Sequence, residues 1–459
     1  MSDAAGKKRC LFGTDGVRDI ANRGAMTPEM ALRLGRAYVL FLTERGFPRP
    51  KIVVGRDTRR SGAMLEAALI AGMTSAGADV VCVGVTPTPG VSFGVELLRA
   101  QGGAVISASH NPAEYNGIKF LDNSGSKLSD DSELAIEEYL GDNLIDDWRP
   151  SGGSIGKVEH RESDFNSSYV ERVRVSLGEE GLGSLKVVFD CANGAASTVL
   201  PDVLSSLTDG GNFEIIGASP DGLNINEKSG VMSMKGLSER VVQAGYDIGI
   251  AYDGDADRVL LVDGKGRPLD GDIILWVLGR WLKGKGSLGA GIVTTVMSNM
   301  ALDKHMAESG IKTFRCPVGD RYVLQSMKDN GSSLGGEQSG HVIAFPYTKT
   351  GDGICTGFLF IRACIEIKED IQTLVDRFGR FPQKLTNIAV NSKTDIMKDD
   401  NILAAVDEAS RILGDSGRIF LRPSGTEPIV RLLVECEDLE LVESLSRSIE
   451  EKITSLVVN

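Results

Sequence analysis

Residues 51–85, KIVVGRDTRRSGAMLEAALIAGMTSAGADVVCVGV, decide the fold. Lys51–Gly55 and Asp79–Val85 are β-branched runs of strand length, and Ser61–Gly77 between them is apolar at helical spacing. The stretch therefore predicts strand, helix, strand, the unit of helix-covered sheets. The same rhythm continues outward. Gly103–Ser107 (GAVIS) predicts a strand that runs straight into a polar loop. An acidic, Gly/Ser-rich segment, Gly141–Lys157, interrupts the pattern, and a second round follows: Lys186–Asp190, a helix, Glu214–Ala218, then Asp247–Asp253 and Val259–Asp263 around an acidic loop. A third round opens with a helix near Ile273–Leu282 and a strand at Gly291–Val296. The tail differs: Asn387–Asn391, a helix near Asp400–Leu413, Arg418–Leu421, Ile429–Cys436 and a last helix Glu440–Leu456. The expected class is α/β. Three similar α/β domains with mixed sheets (1–155, 156–262, 263–375) precede a C-terminal α+β domain (376–459).

The chain has 459 residues, too many for one hydrophobic core. Lys+Arg 50 against Asp+Glu 63 leaves a net charge of −13. That balance excludes a general nucleic-acid or anionic-membrane binder, which needs a basic face. An anionic ligand would require cations gathered locally. Glycine, 55 of 459 residues, is about 12% against a norm of about 7%, so many close backbone approaches are expected. Met1–Ile20 shows no secretory signal, and no apolar run reaches the roughly 18 residues that span a bilayer. Cys10, Cys82, Cys191, Cys316, Cys355, Cys364 and Cys436 are odd in number and scattered without a Cys-x-x-Cys. They suit a reducing cytoplasm, most of them as buried small hydrophobes.

Four loops at predicted strand ends carry chemistry, where α/β proteins place ligands. In Ser107–Pro112 (SASHNP), with Asn116–Lys119 (NGIK) close behind, Ser109 is a hydroxyl nucleophile. His110 and Lys119 offer a proton-managing group and a cation, the needs of a phosphoryl-carrying serine. An ordinary Asn-Pro turn explains the six residues alone equally well. In Asp253–Arg258 (DGDADR), three carboxylates at alternating positions would repel one another unless a divalent cation neutralised them, and all-oxygen donors suit Mg²⁺. An EF-hand fails, because Arg258 and Gly264 stand where Gly and Glu are needed. An aspartyl phosphatase with Asp253 as nucleophile, or a solvated loop, stays open from this loop alone.

Gly335–His341 (GGEQSGH) sets Glu337, Ser339 and His341 among glycines, which suits a hydroxylated ligand or a plain turn. Arg422–Pro428 (RPSGTEP), with Arg431 on the next strand, offers hydroxyls, backbone N–H groups and two guanidiniums to a phosphate dianion, or is a hairpin with surface arginines. Gly284–Gly289 matches a dinucleotide-binding glycine pattern but precedes a strand, a chance match. The other histidines, His160 and His305, read as solvent-facing.

In this order and spacing the four loops resemble those of the α-D-phosphohexomutase superfamily over essentially the whole length. Phe12–Arg18 (FGTDGVR), Val318–Val323 (VGDRYV) and the EQSGH loop resemble its phosphoglucosamine mutase branch, although Asp19 stands where that branch usually has glycine. The resemblance implies four domains around a central cleft, each giving one loop. Ser109 would be the phosphoserine, and its phosphate oxygen with Asp253, Asp255 and Asp257 would hold one Mg²⁺ per chain. Lys119 and His341 would work as acid and base. Arg18 and Arg258 would lie near the phosphoserine. Glu337 and Ser339 would grip sugar hydroxyls, and Arg422, Ser424, Gly425, Thr426 and Arg431 the non-reacting phosphate.

The implied enzyme is a cytoplasmic isomerase of amino-sugar metabolism, a monomer or homodimer. It would interconvert glucosamine 6-phosphate and glucosamine 1-phosphate through a bisphosphorylated sugar, activated by a sugar bisphosphate or by phosphorylation of Ser109. The alternatives are a phosphomannomutase/phosphoglucomutase on the same scaffold and an aspartyl-type sugar phosphatase.

Overall fold

A computed structural model of the chain describes residues 10–13, 15–141, 144–205, 207, 212–345, 347–424 and 428–458. By internal contacts the chain forms two compact units, Met1–Met297 with Ile311–Val375 and Ser298–Gly310 with Asp376–Asn459.

The first unit holds three mixed sheets. In the first, β1 (Val17–Ile20), β2 (Lys51–Arg56), β3 (Asp79–Val85), β4 (Gly102–Ile106), β5 (Tyr115–Leu121) and β6 (Val158–His160) lie in the order β1-β5-β4-β2-β3-β6. β2 pairs in parallel with β3 and β4, while β5 turns back antiparallel against β4 and β1. Helix Pro28–Glu44 begins with Pro at its first position and is capped by the Thr27 side chain, which accepts from Met30 N. Its Tyr38 stacks on Phe120 with ring centroids 4.2 Å apart and donates to Leu121 O at 2.6 Å. Ile52, Val53 and Val54 are wholly buried, as expected of a strand covered on both faces. β6 pairs in parallel with β3, so the first sheet runs past residue 155. All three β6 residues are exposed, an edge strand without the apolar run that would announce it.

The second sheet orders β7 (Val187–Asp190), β8 (Phe213–Ile216), β9 (Ile248–Tyr252), β10 (Val259–Asp263) and β11 (Pro268–Leu269) as β11-β10-β9-β7-β8. The third orders β12 (Ile292–Thr295), β13 (Thr313–Cys316), β14 (Leu334–Gly336) and β15 (Val342–Ala344) as β13-β12-β14-β15. Both contain an antiparallel hairpin, β9–β10 and β14–β15, and the predicted acidic and EQSGH loops are those two turns.

In the second unit, β16 (Gln383–Ala389), β17 (Gly417–Pro423) and β18 (Ile429–Cys436) form an antiparallel sheet with β18 central. Helices Asp400–Leu413 and Leu439–Val458 pack on it around Ile402, Leu432, Val434 and Ile453. β16 begins four residues before the expected Asn387, because Gln383 to Thr386 alternate in burial and already ladder onto β18.

Helix Met300–Glu308 belongs to this unit. Met300 N donates to Glu435 Oε1 at 2.5 Å, and Lys304 Nζ lies 2.6 Å from Glu437. His305 corrects the expectation of a solvent-facing ring. It is buried, with Nε2 2.6 Å from Phe378 O and Nδ1 3.1 Å from Glu308 Oε2. It shares its buried helix face with Ala301, Leu302 and Met306, and the carbonyl that holds it lies far along the chain. His160 is exposed as expected, and six of the seven cysteines are buried free thiols, Cys10 being the exposed one. Among the described residues no helix is long and apolar enough to cross a membrane.

Candidate active site

Ser109 lies just past the end of β4, in a turn that puts its φ at 51°, the left-handed region. Its hydroxyl donates to Asp253 Oδ2 at 2.6 Å and sits 3.3 Å from His110 Nδ1. Asp253 follows β9 directly, so two sheets present their strand ends to each other at this contact. Gly254 permits the approach, since a Cβ there would fall 2.6 Å from Ser109 O.

Asp253, Asp255 and Asp257 gather in the β9–β10 turn, each nearly or wholly buried, with ligand oxygens all within 4.8 Å of one another. Asp255 Oδ1 and Asp257 Oδ1 are buried with no hydrogen-bond partner. Orphaned carboxylate oxygens in such a cluster are what a divalent cation satisfies, so the residues present fit a metal. Burial first, then the Asp257 and Asp255 charges, holds the Asp253 carboxyl well above the usual range. Asp255 goes the other way. Burial would raise it, but the Lys119 ammonium and the Thr88 hydroxyl, at 2.9 and 2.6 Å from Oδ2, more than offset that.

Lys119 stands on β5 with its ammonium 2.9 Å from Asp255 Oδ2, 3.0 Å from Asp15 Oδ2 and 3.8 Å from Asp257 Oδ2. Burial opposes its charge, yet the three carboxylates win and raise its pKa. Arg18, on β1 beside β5, pairs with Asp15. Asp19 turns to the backbone instead, accepting from Ile20 N and Ala25 N, and the β1–β5 register at Arg18 is regular. Arg258 N donates to Asp253 Oδ1 at 3.2 Å, and its Nε is 3.9 Å from Asp257 Oδ1. The His110 ring is pushed down to about 4 by burial, then by Arg258 and Arg18.

His341 joins from the β14–β15 turn. Its Nδ1 lies 3.7 Å from Asp257 Oδ2, and its Nε2, 3.9 Å from Asp320, accepts from Gly351 N at 3.2 Å. That acceptance leaves the ring proton on Nδ1 in the neutral form. Glu337 in the same turn accepts from Gly319 N at 3.0 Å and from Ser339 Oγ at 3.5 Å.

In the second unit, Arg422 on β17 faces Arg431 on β18 directly across the ladder. Burial and then the Arg431 charge lower the Arg422 pKa. Like charges so opposed are unfavourable without an anion between or beside them. Ser424, buried, donates its N–H to Ile429 O and accepts at its carbonyl from Lys393 Nζ at 2.7 Å. Gly425 and Thr426 lie outside the described residues.

Ser109, His110, Lys119, Arg18, Arg258, His341 and the three aspartates are thus brought together in the first unit, with Glu337 and Ser339 on the His341 turn. Sequence reasoning missed Asp15, Thr88 and Lys127. Lys127 Nζ ties Asp15 to Asp320, which carries the contact on to His341. Asp15 lay inside the quoted FGTDGVR motif, but Lys127 and Thr88 have no local signal.

The chain matches the phosphoglucomutase/phosphomannomutase models for alpha/beta/alpha domain I over residues 9–144, domain II over 165–266, domain III over 270–381 and the C-terminal domain over 385–452. It is 45% identical to a phosphoglucosamine mutase of Desulforamulus reducens, covering 95% of this chain and 97% of that one. It is 46% identical to a phosphoglucosamine mutase of Carboxydothermus hydrogenoformans, over 95% and 97% of the two chains. A crystal structure of a phosphoglucomutase/phosphomannomutase family protein from Burkholderia thailandensis shares the fold, with TM-score 0.79, 23% identity and 97% of each chain covered. With four domain models in series and relatives of this identity along nearly the full length, the chain belongs to the phosphoglucomutase/phosphomannomutase family of isomerases.

Proposed function

We propose that the chain interconverts glucosamine 6-phosphate and glucosamine 1-phosphate, with Ser109 as the phosphoryl carrier. One observation carries the reading: the Ser109 hydroxyl rests 2.6 Å from Asp253 in the buried aspartate cluster, with Lys119 on the same cluster. The names and identities of the relatives favour the amino sugar.

In this reading the four domains, divided near 155, 262 and 375, each lend one loop to the site. Phosphorylated Ser109 gives its phosphoryl group to a sugar hydroxyl: the P–Oγ bond breaks, a P–O bond to the sugar forms, and the hydroxyl proton passes to a base. The bisphosphorylated sugar turns over and returns its other phosphoryl group to Ser109 Oγ, the freed sugar oxygen taking a proton. Lys119, kept as an ammonium by Asp15, Asp255 and Asp257, supplies that proton. His341 and His110 are the candidate bases, His110 staying neutral near pH 7 within reach of Ser109 Oγ. Mg²⁺ on Asp253, Asp255, Asp257 and a phosphoserine oxygen would supply charge neutralisation when bound.

Arg18 and Arg258 stabilise charge on the transferring group. Glu337 and Ser339 hold sugar hydroxyls, and Arg422, Ser424, Gly425, Thr426 and Arg431 clamp the phosphate that does not react. A sugar bisphosphate, or prior phosphorylation of Ser109, primes the cycle. The free buried thiols favour a cytoplasmic setting.

A phosphomannomutase/phosphoglucomutase is the second reading, favoured by the family models. Relative rates on glucosamine, mannose and glucose 1-phosphates, with a bisphosphate activator present, separate the two, and a clear preference for mannose or glucose rejects glucosamine. A phosphatase acting through Asp253 fits poorly, because both its carboxylate oxygens are engaged. Brief exposure to a sugar bisphosphate followed by mass spectrometry tests it: label on Asp253 instead of Ser109 overturns the mutase.

A further inference from the structure

A buried arginine beside the site has no part in the chemistry above. Arg59 follows β2 by three residues and is 1% exposed. A guanidinium has five N–H groups, and here each has an acceptor. Nε donates to Asp57 Oδ2 at 2.9 Å. One terminal nitrogen donates to Pro112 O and to Tyr115 O, the latter at 3.1 Å. The other donates to Ser109 O at 2.9 Å and Asn111 O at 2.7 Å. Asp57 in turn accepts from Arg59 N at 2.9 Å and from Ser107 Oγ at 2.7 Å. Ser107 Oγ then accepts from Ser109 N at 2.9 Å. Both backbone polar atoms of Ser109 are therefore tied to the Asp57–Arg59 pair. Asn226 Nδ2 adds donations to Ser109 O and Asn111 O at 2.9 and 3.0 Å.

A left-handed φ at a serine is unfavourable and persists only where the surroundings over-determine it. Here the surroundings are one ion pair with four backbone carbonyls fixed around it. A lysine in place of Arg59 has three donors on one nitrogen and cannot span carbonyls of four residues.

We propose that Arg59 is a positioning residue that clamps the 109–115 turn, so that Ser109 keeps its left-handed conformation and its Oγ stays on Asp253. The rate of phosphoryl transfer then depends on the clamp, whereas sugar-phosphate binding does not. The kinetic part rests on Ser109 being the phosphoryl carrier.

The test compares Arg59→Lys and Ser107→Ala in the full-length enzyme. Misplacing a reacting group by an ångström can cost about 100-fold. Arg59→Lys is expected to lower kcat by about that factor with KM within about threefold. Ser107→Ala keeps the ion pair and removes the acceptor for Ser109 N–H together with one hydrogen bond to Asp57. It decides the matter if Arg59→Lys does not fold, with kcat expected to fall about tenfold while KM and the melting temperature hold. In crystals of Ser107→Ala, the Ser109 φ is expected to relax to negative values. The proposal is overturned if the folded variants keep kcat within about threefold, or if KM and the melting temperature of Ser107→Ala shift in step with kcat. Should the parent enzyme take no label at Ser109, the carrier reading fails on its own. The clamp is then judged by the Ser109 φ in Ser107→Ala: a value still near 51° overturns it, and a negative one supports it.

Discussion

Ser109 Oγ donates a 2.6 Å hydrogen bond to Asp253 Oδ2, so the hydroxyl beyond β4 and the first carboxylate beyond β9 share one proton-bearing contact. Around it, cations and carboxylates alternate: Lys119 on Asp15 and Asp255, Lys127 on Asp15 and Asp320, Arg258 near Asp257. Each group's charge depends on its neighbours, which makes the site testable by single changes.

Asp255→Asn should abolish Mg²⁺ binding and lower kcat by about 100-fold or more, because one carboxylate charge leaves a cluster that a cation neutralises. The fold should persist, since the Asn amide still fills the space beside Thr88 Oγ1. Titration calorimetry with Mg²⁺, circular dichroism and turnover check the three points. Undiminished activity in excess chelator contradicts the metal reading.

Mg²⁺ binding should release a proton. Asp253, held high by burial and its two neighbours, is protonated in part where ordinary carboxylates are not, and the metal must displace that proton. Affinity should therefore rise with pH until the raised Asp253 value is passed and level off above it. For folding without metal the sign reverses. A pKa raised in the folded state contributes stability at low pH that is lost as pH climbs through it. Calorimetry in buffers of different ionisation enthalpy counts the proton, and an affinity independent of buffer and pH argues against it.

His110 should titrate near 4, well under its ordinary 6.5. Between these values the unfolded chain binds a proton that the folded chain refuses, so this ring's contribution to stability rises with pH across the window and is lost as pH falls through it. With only 4 histidines in the chain, their ring protons can be followed individually by NMR. A His110 midpoint close to 6.5 refutes the expectation.

Gly351→Ala should displace His341, because the added Cβ would stand 2.3 Å from the ring Cε1 and 2.4 Å from Nε2. The ring must rotate away from Asp257, and kcat should fall by roughly 10- to 100-fold with KM little changed. Steady-state kinetics alone decide this: an unchanged kcat would remove His341 from the proton chemistry.

Much of this site is legible in the sequence because its parts are short, polar and placed at strand ends. The Ser109 and Asp253 loops each carry their chemistry within about a dozen residues; either loop alone also fits a plain turn, and the four loops together in order make the difference. What joins them is not legible. Asp15 meets Lys119 only because β1 lies antiparallel to β5, a pairing that no local spacing encodes. Thr88, Lys127 and Arg59 likewise act across the sheet on partners that are remote in sequence. The same reason hid the burial of His305, whose acceptor is the carbonyl of Phe378, and left the exposed edge strand β6 without an apolar signature.

The two visits of the chain to the C-terminal unit have a practical meaning for protein engineering. The inherited module recognised at 385–452 and the physically cohesive body are different pieces, since the latter also takes Ser298–Gly310 from the middle of the chain. Met300 N and Ser298 O, bonded to Glu435 and Arg418, are furnished by that inner segment. A chimera that exchanges only the tail between two relatives would pair a foreign Glu435 equivalent with a native helix cap. Grafts should therefore carry both segments or neither.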